Sequence, residues 1–271
     1  MTTIVQRPPA GAGWAGVLRR LSDWGPAAVV FVLGIVLWEV STRLFIEEFL
    51  LPPLSSILET LREDWGTIWS AGIFTFKEAL GGFAIGSSAA ILVALALARW
   101  RALGRAFMPY AIAANAIPII AFAPITNNWF GILSPASKMA IAAVLVFFPV
   151  LVNMLRGLTS VRPAQIELMR SYAAGELEIF RRVRLPNALP YLFSGLKVAT
   201  VLAMIGAIVG DYFGGSQDAL GILIRRSAGI FDFKLAWAAI VVASILGMAF
   251  YAVVATVERL TMRWHPSARA D

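Results

Sequence analysis

Few residues of this 271-residue chain can carry covalent chemistry. It has no cysteine and a single histidine, His265, close to the C-terminus. Disulfides, thiolate metal sites and cysteine nucleophiles are therefore excluded, and an intramembrane serine protease would have no histidine to activate its serine. No G-x-x-x-x-G-K-[ST] phosphate loop is present, so any ATP hydrolysis belongs to another chain. What remains are ionisable groups set in long apolar runs: Glu78, Lys197 and Asp211. At the centre of a membrane helix such a group is unfavourable by about 2.5–3.5 kcal/mol and is a site by default, whereas near a helix end it reaches the interface. Glu78 follows Lys77 towards one end of its run, which favours an interfacial charge. Lys197, near the start of its run, is read as reaching lipid phosphates. Asp211, beside Tyr212, fits either a site residue or a helix-end charge.

The elements that must position these groups are membrane helices. Residues of the apolar set AVILMFWYC make up 59% of the chain and charged residues only 14%, with a mean hydropathy of +0.77. An average soluble domain has about 45–50% and about 25%. A bilayer core of about 30 Å needs about 20 apolar residues per helix. Six such spans are expected, over 26–46, 74–98, 106–125, 138–155, 189–212 and 235–257. Pro109, Pro118 and Pro124 punctuate the third. The first apolar run starts too late and is too long for a cleaved signal peptide.

Six spans put both termini on one side. That side collects fifteen Lys and Arg against six Asp and Glu, while the other has seven against ten. The positive-inside rule then makes both termini cytoplasmic, and the net +7 is a topology signal rather than a nucleic-acid footprint. The chain reads as one all-α domain over 26–259, flanked by a cytoplasmic segment 1–25 and a tail 260–271. Residues 51–70 open with Pro52-Pro53 and repeat Leu54, Ile57, Leu58, Leu61, Trp65, Ile68 and Trp69 at helical spacing, as expected of an amphipathic helix in the outer interface. Residues 126–137 suggest a tucked-in turn, and 214–234 a short helix and turn.

The longest cytoplasmic loop, 162–189, reads RPAQIELMRSYAAGELEIFRRVRLPNAL. Pro163 suits a first helical position, and Ile166, Met169, Tyr172 and Ala173 recur at helical spacing. Gly175 permits a turn. A second helix over 176–183 has Glu176 and Glu178 at its positive end and Arg181 and Arg182 at its negative end, and Leu185-Pro186 is expected to stop it. A short apolar-faced helix pair at a membrane surface suits a soluble partner.

This stretch resembles the EAA loop of ATP-binding-cassette importer permeases. Glu167-Leu168-Met169 takes the E-A-A positions, Phe180-Arg181-Arg182-Val183 and Leu185-Pro186 match directly, and Ala188-Leu189-Pro190 continues the match. The usual glycine of the pattern is Ala173 here, with Gly175 two positions on. LPPLSSILETL and Phe213-Gly214-Gly215 with Leu220-Gly221 are similar to segments of the permeases for nitrate, sulfonates, taurine and pyrimidine precursors. The resemblance implies a type I importer permease: six transmembrane helices with a cytoplasmic two-helix coupling loop, and no catalysis of its own. It implies two ATPase subunits that bind ATP and Mg2+, a second permease subunit in a homodimer, an extracytoplasmic solute-binding protein and a multi-pass place in a bacterial inner membrane. By the same resemblance Glu167, Arg170, Gly175, Phe180, Arg181, Arg182, Leu185 and Pro186 engage the ATPase.

Candidates for the path through the membrane are Glu78, Asn115, Pro118, Met204 and Asp211. Prolines free carbonyls that protein or water must satisfy, so the third span is expected to line a cavity. Gly206 and Gly210 form a small-xxx-small pair, expected to pack helices and, in the fifth span, also to line the path. The competing reading is an ion-coupled secondary transporter, which would need an ion site and often an inverted repeat, and neither is evident.

Overall fold

The computed structural model describes residues 12–47, 50–114 and 118–262. Among these the chain is all helical. In order come α1 (Ala12–Leu44), α2 (Leu54–Glu63), α3 (Trp65–Arg99), α4 (Arg101–Ala114), α5 (Phe122–Phe130), α6 (Pro135–Thr159), α7 (Pro163–Ser171), α8 (Glu176–Ile179), α9 (Leu185–Tyr212), α10 (Leu220–Gly229) and α11 (Phe233–Thr261). Among the described residues five stretches are long and apolar enough to cross a membrane: Gly25–Leu44, Trp65–Arg99, Pro135–Thr159, Glu176–Tyr212 and Phe233–Thr261.

Helix starts follow capping chemistry where the sequence supplies it. Ser134 accepts from the Ala136 amide at 3.2 Å ahead of Pro135, and Asp232 accepts from the Leu235 amide at 3.2 Å at the head of α11. The core is built on α6, with α3 on one side and α9 on the other. Contact is made through small residues. A Cβ on Gly86 of α3 would fall 2.9 Å from Ala143 Cα, and one on Gly206 of α9 would fall 2.7 Å from Ala142 Cα. With no side chain between them the backbones touch, which is how helices associate where lipid supplies no hydrophobic drive. α11 closes the bundle with buried Ala238, Ala239 and Val242, and Phe250 meets the rings of Phe76 and Phe83 edge-on at 5.4 and 4.9 Å. α1 presents Val29, Phe31, Leu33 and Leu37 outward and is tied to the rest where Trp38 donates to the Pro52 carbonyl at 3.2 Å and meets Trp237 edge-on at 5.3 Å.

Three expectations need revision. The third expected span, 106–125, is not one helix: α4 ends at Ala114, and a 3₁₀ turn Ile119–Ala121 leads into α5. Residue Asn115, and positions 263–271 of the expected tail, lie outside the described residues. The interfacial helix is shorter than expected, because the chain breaks at Asp64 and Trp65, Ile68 and Trp69 open α3. α1 begins at Ala12 and runs unbroken into the first span, Gly25–Leu44, close to the expected 26–46.

The third revision concerns Leu185-Pro186, which does not stop its helix. α8 runs through a π turn, Phe180–Arg184, straight into α9, giving one helical rod from Glu176 to Tyr212. The Leu185 amide bonds to the Phe180 carbonyl in i→i+5 fashion. That wider turn gives the ring of Pro186 room that a regular α turn would deny it.

Candidate functional site

Two groups of polar side chains stand at opposite ends of the bundle. The first is the two-helix loop. Pro163 is the first residue of α7, as its φ suits. α7 ends in a Schellman turn: the Ala174 amide reaches the Met169 carbonyl at 3.1 Å and the Ala173 amide the Arg170 carbonyl at 2.9 Å. The left-handed residue of this turn is Ala173, with φ of +57°. Gly175, expected to make the turn, has φ of −73° and instead precedes α8 as its N-cap. The residue standing in the family's glycine position thus adopts the conformation that favours glycine.

One exposed ion pair links the two short helices, and two more lie within the second. Glu176 at the head of α8 meets Arg170 of α7 at 2.9 Å and Arg184 at 3.7 Å, and Glu178 meets Arg182 one turn on at 3.2 Å. Glu167, Arg170, Arg181 and Arg182 are exposed, while Phe180, Leu185 and Pro186 are half-buried against the bundle. Apolar Leu168, Tyr172 and Leu177 are also exposed, at 56%, 77% and 64%. The loop therefore offers solvent a knob of apolar side chains edged by arginines. Its return to the bundle is fixed by Asn187, a residue not singled out from the sequence, whose amide donates to the Gly157 carbonyl at 2.8 Å and to Ser160 Oγ at 3.2 Å.

The second group lies at the other end, where α6 begins and α9 finishes. Glu78, Lys138 and Asp211 come from α3, α6 and α9, and each is buried. The Glu78 and Asp211 carboxyl groups meet, and the Lys138 ammonium is near enough for its charge to act on both without an ion-pair contact to either. Thr75 donates to Asp211 Oδ2 at 2.7 Å and accepts from the Leu220 amide at 2.9 Å, linking the cluster to the first turn of α10. Lys138 Nζ also donates to the Ile132 carbonyl, and reaches the Ser134 carbonyl at 3.5 Å. The loop over the cluster closes at Gly214, where φ is +154° and a Cβ would fall 2.5 Å from Ile132 Cγ1. Only glycine fits there.

Several expectations change at this point. Glu78 is not an interfacial charge: Lys77 is exposed while Glu78 is turned inward, because partners on two other helices receive it. Lys197 does not reach for lipid phosphates, since Glu258 of α11 takes its ammonium at 2.6 Å. Met204 is buried within the helix bundle, and the face of α9 left exposed carries Val198, Val201 and Ile205. Pro118 is exposed. Gly206 and Gly210 pack against α6, as their spacing led one to expect. Lys138 and Thr75 were missed as cluster members. A usable signal was helical phase, because Glu78 lies one and two turns from Gly82 and Gly86, the stripe that faces α6. Among the described residues no group of three or more His, Cys, Asp or Glu side chains gathers as a metal site.

Residues 82–263 match the family described as binding-protein-dependent transport system inner membrane component. The chain is 33% identical over 235 residues to a formylaminopyrimidine transport permease protein, ThiX, of Halalkalibacterium halodurans, covering 86% of this chain and 93% of the relative. It is 32% identical to a riboflavin transport system permease protein, RibX, of Chloroflexus aurantiacus over 88% and 90% of the two chains. Identity to a taurine transport system permease protein, TauC, of Escherichia coli is 23% over 86% and 87%.

Proposed function

The chain belongs to the family of binding-protein-dependent transport system inner membrane components, and from that premise we propose that it forms the membrane path of an importer for a small heteroaromatic solute. In this reading the broken segment from α4 to α5 is the sixth crossing, both termini are cytoplasmic, and two copies of the chain enclose the path in a bacterial inner membrane. An extracytoplasmic binding protein delivers the solute. Two separate ATPases, which hold the ATP and Mg2+, supply the work. The solute class is supported by the names of the relatives at 33% and 32% identity, a pyrimidine and riboflavin.

The observation that carries the reading is the loop. An exposed knob with Leu168, Tyr172 and Leu177 at its surface is shaped by the Schellman turn that joins its two helices. It is continuous with a membrane-spanning rod. Such a knob can seat in a groove of a soluble ATPase and transmit that protein's movement into the bilayer. Glu167, Arg170, Arg181 and Arg182 are its polar edge, and Phe180, Leu185 and Pro186 its root. Gly175 serves as the start of α8, and the turn belongs to Ala173.

The test is co-purification and flux. The chain extracted in detergent is expected to bring down an ATPase whose turnover rises with the loaded binding protein. Glu167→Ala and Arg182→Glu should insert normally and abolish that rise. Transport that survives ATP depletion and follows a proton or sodium gradient would favour a secondary transporter and overturn the proposal, as would unchanged stimulation in both variants.

A further inference from the structure

The face of α3 turned away from α6 is a regular stripe. Ile85, Ser88, Leu92 and Ala96 are exposed and step by three and four residues, and the next member of the series is Arg99, exposed in the last turn of the helix. Beside Arg99 a cleft of about 740 Å3 opens between the end of α3 and the two-helix loop. Leu95, Ala98 and Phe180 form its apolar wall. Its polar wall carries three guanidinium groups, of Arg99, Arg170 and Arg184, against the one carboxylate of Glu176. That carboxylate engages Arg170 and Arg184 at 2.9 and 3.7 Å, and Arg99 has no carboxylate partner among the described residues. The cleft therefore has an excess of two positive charges, with an apolar track leading out of it along a membrane helix.

Guanidinium groups match phosphate oxygens in pairs, and a basic cleft beside a membrane helix is where an anionic headgroup gains most. A soluble phosphate would use the arginines and leave the stripe bare. A zwitterionic phospholipid would follow the stripe but bring a cation of its own into an already positive cleft. We infer that this cleft binds the phosphate head of an anionic glycerophospholipid, with an acyl chain lying along Leu92 and Ile85. The lipid would sit between the end of α3 and the loop, and so brace the loop against the bundle. Its assignment to the inner leaflet rests on the proposed orientation; binding itself does not.

The test is native mass spectrometry of the full chain in detergent, with no ATPase present, so that its result is independent of the coupling reading. Phosphatidylglycerol, phosphatidylcholine of the same chains and inorganic phosphate are compared as probes. Phosphatidylglycerol is expected to be retained in preference to the other two. Arg99→Gln should lower its retention about fivefold and Arg99→Glu about twentyfold. Arg226→Gln, which removes an exposed cation from α10, should leave it unchanged. Equal retention of phosphatidylglycerol by the wild type and both Arg99 variants would overturn the inference. So would an equal loss in Arg226→Gln, equal retention of phosphatidylcholine, or displacement of the lipid by an equal concentration of free phosphate.

Discussion

Replacing Gly206 by alanine tests whether backbone contact between α6 and α9 is what holds the bundle together. The added Cβ would lie 2.7 Å from Ala142 Cα and 3.1 Å from Ala142 N. Carbon atoms in ordinary contact are about 3.5–4.0 Å apart, so the two helices have to part by about 1 Å. α6 has nowhere to go. On its other side Gly86 already leaves only 2.9 Å between a would-be Cβ and Ala143 Cα, and Gly82 lies against Ala142 in the same way. Overpacking of this kind costs about 1–3 kcal/mol, set against about 1 kcal/mol gained when glycine in a helix becomes alanine. Gly247→Ala is the matched control, because its Cβ would meet only Met204 Cγ at 3.8 Å. It makes the same propensity gain with no clash. The two variants should therefore differ by about 1–3 kcal/mol, or about 2–12 °C in thermal unfolding midpoint in one detergent, with Gly206→Ala the less stable. A Gly206→Ala protein as stable as Gly247→Ala would refute the account of the core.

Two further outcomes follow from the sites. Ala173→Gly should stabilise the loop by about 1 kcal/mol, because a left-handed φ is unfavourable for alanine by about 1–2 kcal/mol and glycine loses only part of that gain to chain entropy; amide exchange across 168–176 should slow, and faster exchange would contradict the turn. Lys138→Met removes the cation that acts on two facing buried carboxyl groups and the donor to the Ile132 and Ser134 carbonyls, and should lower stability by about 1–3 kcal/mol, measured by denaturant midpoint, with part of the loss restored in Lys138→Met/Glu78→Gln; a single variant of wild-type stability would show that the three groups do not interact.

Helix number and type were legible where the apolar run was long. Five spans follow from run length alone, because backbone groups in hydrocarbon have no choice but a helix. The two-helix loop was legible from Pro163, the charge order of α8 and its arginines. What escaped was whatever depends on a neighbour. A glutamate beside a lysine near one end of an apolar run looks like an interfacial charge unless two other helices are known to offer partners. Even so, Glu78 continues the Gly82, Gly86 series, and Asp211 ends the buried series Ala199, Ala203 and Ala207. A polar residue in phase with a stripe of small ones belongs to a helix contact, and that pattern is visible in the sequence. Pro186 was read as a stop because a proline ends a regular α turn; the π turn that accommodates it leaves no trace in composition. Ala173 looked like a missing glycine, but the conformation persisted without it because the hydrogen bonds of the Schellman turn and the Arg170–Glu176 pair hold it in place.

The loop and the buried cluster are the two ends of one object. The rod from Glu176 to Tyr212 has 37 residues, about 55 Å at 1.5 Å per residue, with Arg181 and Arg182 near its start and Asp211 at its end. Its weakest point is the π turn, where the hydrogen-bond ladder is widened and Pro186 supplies no donor. A push on the loop would bend the rod there if nothing else held it. Directly after the turn, however, Asn187 is bonded to the Gly157 carbonyl and to Ser160 Oγ at the end of α6, and a Cβ on Gly157 would fall 2.8 Å from Ala188 Cα. Further along, Gly206 and Gly210 press α9 against α6 again. Close-packed backbones do not slide past one another without parting. In the proposed function, then, force on the loop moves α6 and α9 as a pair, and it arrives at the buried Glu78, Lys138 and Asp211. Thr75 ties that cluster to Leu220 and Gly221 lies against Ile208 and Asp211 of α9, so in this reading α10 is carried along with the pair.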